Sequence, residues 1–201
     1  MQDKDGCKKD VLVGALSQHP VRDASSHWYA AYVGEGREDV RALQCQKLLG
    51  SDLVESCFVP KWECSMKRRG VWRSTETPMF KGYIVLVTRD VRVLAKALNG
   101  LSIRVELAGK CGVTYAPFSA DVQHWLEDAL DGAHVLRASE GVIEGKDITV
   151  TRGPLAGREE CIAKINRHKR MALVALGRGS ESFLIKAALS VPVKTPAISA
   201  G

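Results

Sequence analysis

Apolar residues in this chain follow two different regimes. Up to about residue 100, strand-like and helix-like runs alternate; beyond residue 144, only short strands separated by turns remain. His27-Trp28-Tyr29-Ala30-Ala31-Tyr32-Val33 is rich in aromatic and β-branched residues and predicts a first strand. Gly34 and Gly36 mark a turn. Residues 38–49 then predict a helix, with acids in the first turn and Gly50 past its end. Residues 53–59 predict a second strand, stopped by Pro60. Residues 61–77 predict a basic hairpin turning at Arg68-Arg69-Gly70, and residues 80–88 a third strand. Its stretch Ile84-Val85-Leu86-Val87 is continuous enough for a buried centre. The clearest helix follows. Asp90 is placed to cap it, Val91, Leu94, Ala95 and Leu98 fall at i, i+3, i+4 and i+7, and Asn99-Gly100 can end it.

The order strand, helix, strand, hairpin, strand, helix predicts an α+β fold that opens with a small α/β sandwich. In it, an antiparallel sheet carries helices on one face. Residues 101–144 are less regular, with one short helix expected over 119–130, where Val122, Trp125, Leu126 and Ala129 share a face. Further on, strands are expected at 147–152, 161–165, 171–176, 182–185 and 190–193, the number a small SH3-like five-stranded β-barrel needs. The resulting division is a flexible arm at 1–26, a first domain at 27–112, a linker at 113–143, a second domain at 144–192 and a tail at 193–201.

Composition narrows the functional classes. No apolar run reaches the roughly 20 residues of a membrane helix, and the acids near the N-terminus argue against a secretory signal. A cytoplasmic protein that does not engage membranes is expected. The six cysteines form no C-x-x-C pair, so reduced structural thiols are expected and no metal. Charge is unevenly spread. Residues 101–144 carry three basic and seven acidic groups, whereas residues 145–201 carry ten and four. Such a basic tail fits a phosphate-rich partner or an inert solvated surface.

Gly34-Glu35-Gly36-Arg37-Glu38-Asp39 imitates a dinucleotide fingerprint but has Asp39 where the third glycine belongs. Its three acids would repel a pyrophosphate. No Walker, G-x-S-x-G or H-E-x-x-H sequence occurs, and the five histidines lack ligand or triad spacing. Neither catalysis nor a cofactor is expected.

Two segments at this separation resemble the NusG family of transcription elongation factors. Trp28-Tyr29, Phe58-Val59-Pro60 and Met79-Phe80-Lys81-Gly82-Tyr83 are similar to its N-terminal domain. Gly153-Pro154-Leu155-Ala156-Gly157 is similar to the turn of its KOW module. Two further stretches, Ser139 through Gly145 and Gly153 through Arg170, are similar to the LoaP branch of specialised antiterminators. The chain departs from the family pattern at Lys81, where proline is usual, and at Asn166, where an acid is common.

The resemblance implies a monomeric factor whose N-terminal domain docks on a coiled coil of the largest RNA polymerase subunit, with Phe80 and Tyr83 framing the surface. The KOW domain would bind a nascent RNA hairpin through Arg152, Lys164, Arg167, His168, Lys169, Arg170 and Arg178. Arginine forks suit phosphates and base edges alike. Gly153, Pro154 and Gly157 shape a tight turn, with backbone approach to RNA or protein as the alternative. Lys67, Arg68, Arg69 and Arg73 form either a solvated hairpin or a contact to polymerase or the non-template DNA strand. Two other functions stay open: a housekeeping elongation factor whose KOW domain binds a termination factor or the ribosome, and a ribosome-associated KOW protein.

Overall fold

The structure, a computed structural model, describes residues 12–17, 25–109, 114–144, 147–177 and 183–191. It is a mixed α+β fold. Strands β1 (His27–Tyr32), β2 (Ser56–Phe58), β5 (Tyr83–Thr88) and β6 (Glu106–Leu107) form an antiparallel sheet in the order β2-β5-β1-β6. Side-chain alternation divides this sheet between two cores. Ile84 and Leu86 of β5 face helices α1 (Glu38–Leu48) and α2 (Val91–Asn99), meeting Ala42, Cys45, Leu94 and Leu98. Val85 and Val87 point the other way, into a core shared with Trp28, Phe118 and helix α3 (Ala120–Ala129). The Ile84–Val87 run is apolar throughout because both faces are covered.

Local signals fixed several of these elements. The Asp90 carboxylate accepts from the backbone N–H groups of Arg92 and Val93, as an N-cap should. The hairpin of β3 (Lys61–Arg68) and β4 (Val71–Pro78) turns on Arg69 and Gly70 alone. Both have positive φ, 50° and 82°, the pairing a two-residue hairpin turn requires. On its other side, β3 pairs in parallel with β7 (Val135–Leu136).

The C-terminal strands are β8 (Ser139–Glu144), β9 (Asp147–Arg152), β10 (Ile162–Asn166), β11 (Met171–Leu176) and β12 (Phe183–Ser190). They form one sheet in the order β10-β11-β12-β8-β9. The expected number of strands is present, but among the described residues β9 and β10 do not pair, so the sheet is not a closed barrel. Its first strand begins at Ser139, earlier than expected. The last is a single strand where two were expected, because Phe183, Ile185, Ala187 and Leu189 keep one buried face from end to end.

Two further expectations are corrected by long-range packing. Residues 12–17 are not an arm: Leu12, Ala15 and Leu16 are buried, Leu16 bridges to Phe118, and the Ser17 N–H donates to the Pro117 carbonyl. Nor is 113–143 a linker, as far as it is described. Phe118 stacks edge-on to Trp28, and Val122, Leu126 and Ala129 bury α3 against the sheet. Helices therefore cover both faces, not one. Cys45, Cys57 and Cys64 are buried free thiols and Cys161 is half-buried; Cys7 and Cys111 lie outside the described residues. Among the described residues, no helix is long and apolar enough to cross a membrane.

Candidate nucleic-acid and protein interfaces

The third-strand motif sits where the two halves of the fold meet. Gly82 has φ +83°, and a Cβ there would come within 2.8 Å of the Tyr32 ring. Its N–H donates to the carboxylate of Glu38 at 2.7 Å, and Glu38 is buried. This turn delays the start of β5 to Tyr83, so strand alternation does not relate Phe80 to Tyr83. Phe80 is buried at 4% exposure with its ring 5.8 Å from that of Phe118, which makes it a core residue and not an exposed anchor. Tyr83 is half-buried and edge-on to Tyr32 at 5.3 Å. Burial, with Tyr32 and Glu106 nearby, pushes its phenol above the ordinary value. A groove of about 430 Å³ runs beside it. One wall comes from Met79, Phe80, Lys81 and Tyr83, the other from Leu184, Ile185 and Lys186 of β12.

The turn at Gly153-Pro154-Leu155-Ala156-Gly157 is an anchor for the C-terminal sheet. A Cβ on Gly153, whose φ is +100°, would come within 2.7 Å of Ser139 Cα and 2.8 Å of the Ala138 carbonyl. Leu155 is fully buried, and its N–H donates to the Ser139 hydroxyl at 3.1 Å. Gly157 has φ +73° with open space around it. Next to the turn, Arg158 donates to the Pro154 carbonyl, pairs with Asp128 of α3 and lies over Trp125.

The basic residues separate into groups. Lys164 lies on β10, and Arg167, His168, Lys169 and Arg170 form the β10–β11 turn. The Asn166 side chain accepts from the Lys169 N–H at 3.0 Å and shapes that turn. Lys164, Arg167, His168 and Lys169 are exposed. Arg170 has φ +48°, is half-buried, and places its guanidinium 4.3 Å from the centre of the Trp72 ring. Arg152 stands apart, because β9 is the opposite edge of the open sheet and its guanidinium pairs with Glu140 at 2.7 Å. Arg178 and the side chains of Lys67 and Arg68 lie outside what is described. Arg69 and Arg73 are exposed on the hairpin. Among the described residues, no carboxylate pairs with Lys164, Arg167, Lys169, Arg170, Arg69 or Arg73.

Sequence reasoning missed Glu38 and Trp72. Glu38 looked like an ordinary first-turn acid, and its partner lies 44 residues away. Trp72 did carry a signal, an aromatic residue within a basic hairpin. Among the described residues, no group of three or more His, Cys, Asp or Glu side chains is placed to hold a metal ion. No model of a known protein family matches the chain, and no curated protein matches it.

Proposed function

We propose that the chain is a specialised transcription antitermination and elongation factor. The N-terminal α/β body engages RNA polymerase, the C-terminal sheet engages nascent RNA, and together they suppress pausing and termination in long operons. The observation that carries this proposal is the β10–β11 turn with its flank, where exposed Lys164, Arg167 and Lys169 have no carboxylate partner among the described residues. Cations left unneutralised on one turn favour a phosphate backbone, since binding releases condensed counterions. His168 contributes a polar contact in the same turn. Tyr83 and Lys81, on the rim of the groove beside β12, are the candidates for polymerase contact. Arg69 and Arg73 of the hairpin are the candidates for the displaced DNA strand.

Transcript sequencing after deletion of the gene tests this function. A fall in the distal parts of a few long operons is expected. A uniform change across the genome would indicate a general elongation factor, and unchanged distal transcripts would overturn the proposal.

A further inference from the structure

The contact between Arg170 and Trp72 joins two segments that the sequence places almost a hundred residues apart. Trp72 lies on β4, directly across from Lys67 in register and two residues past the Arg69-Gly70 turn. Arg170 closes the β10–β11 turn in a left-handed conformation that an L side chain adopts at a cost. Its carbonyl accepts from the Leu189 N–H of β12, which holds the end of the turn against the sheet. The guanidinium, 4.3 Å from the Trp72 centroid, covers the indole as a planar cation covers an aromatic face.

We infer that Trp72 is a stacking platform for one unpaired nucleobase, and that Arg170 occupies it in the free protein. The ligand is a single-stranded nucleic acid segment that crosses from the β10–β11 turn to the hairpin tip. A base and a guanidinium present the same flat, polarisable face to an indole, so the exchange needs no new pocket. The displaced Arg170 turns onto a neighbouring phosphate, as arginine readily does. Exposed Lys164, Arg167 and Lys169 belong to the segment that carries Arg170, and exposed Arg69 to the hairpin that carries Trp72, so both segments that meet at the platform bring cations for the strand's phosphates. A basic track with an aromatic platform is how single strands are held without a sequence code. The inference rests on the proposed RNA-binding role of the β10–β11 turn, and adds that an unpaired base next to any bound hairpin is gripped by the N-terminal half of the molecule.

The test uses the full chain and three fluorescent probes: a uridine-rich RNA decamer, a DNA decamer of matching sequence, and a blunt RNA hairpin. Trp72→Leu should weaken binding of whichever single strand the protein prefers by about tenfold, the worth of one stacked base. Trp72→Phe should restore most of it, and the blunt hairpin should change less than twofold in either variant. Preference for the RNA or the DNA decamer identifies the strand. Lys164→Ala together with Lys169→Ala should weaken all probes. If that double variant weakens the hairpin while Trp72→Leu leaves both decamers unchanged, the platform is overturned and the RNA-binding turn stands. If no probe binds the wild-type chain, both are overturned.

Discussion

Glu38 answers a demand that no local pattern announces. The backbone at Gly82 must turn with positive φ beneath the Tyr32 ring, which leaves its N–H inside the fold, and the Glu38 carboxylate accepts it at 2.7 Å. Glu38→Ala removes the acceptor from a buried donor and should cost about 1–3 kcal/mol, measured by urea unfolding. Glu38→Gln keeps an acceptor oxygen and should lose less. A loss within the roughly 0.5 kcal/mol usual for surface changes would mean that water serves Gly82 equally well. Gly153 obeys a stricter rule, because both its φ of +100° and the Ser139 backbone exclude a side chain. The sequence alone announced Gly153 as a turn glycine. It could not announce Glu38, because the hydrogen bond exists only once α1 and β5 are packed together.

At the scale of elements, acids add to the β3–β7 pairing that ties the β3–β4 hairpin to the rest of the fold. The Glu63 carboxylate accepts from the Ser74 hydroxyl at 2.6 Å and the Ala138 N–H at 2.9 Å. Arg137 links Asp131 and Glu76. The Ser74 hydroxyl, followed by the Ala138 amide, holds Glu63 below its ordinary value of 4.5. A carboxylate depressed in the folded state stabilises above its unfolded pKa, and that contribution fades as pH falls through the folded one. Glu63→Gln should therefore be less stable than wild type at neutral pH, and the gap should narrow as pH drops below about 4.5. A gap independent of pH would assign the loss to packing. Elements with strong local patterns were legible in advance: the strands expected at 27–33 and 80–88, the second of which starts only at Tyr83, the hairpin, and the helix capped by Asp90. Elements whose residues bury only against distant partners were not. Leu12 and Leu16 pack on a core completed by Phe118, and α3, although expected as a short helix over 119–130, was assigned to a connector because nothing local shows that its apolar face closes that core.

The molecule as a whole is tied together by one apolar core. Trp28, Val85 and Phe118 of the N-terminal half share it with Val150, Leu155, Phe183 and Ile185 of the C-terminal half. Arg158 over Trp125 and Arg170 over Trp72 add polar ties between the same halves. The basic turn and the groove beside Tyr83 are thus presented by one packed body, with β12 forming a wall of the groove. A factor acting on polymerase and RNA together would deliver both contacts from that body. Single-round transcription with purified RNA polymerase, on a template carrying the leader and first terminator of an affected operon, tests this most directly. Adding the full chain should raise read-through at the terminator, and Lys164→Ala with Lys169→Ala should abolish most of the rise while leaving the protein folded. Read-through that stays at its basal level at saturating wild-type protein would contradict the account.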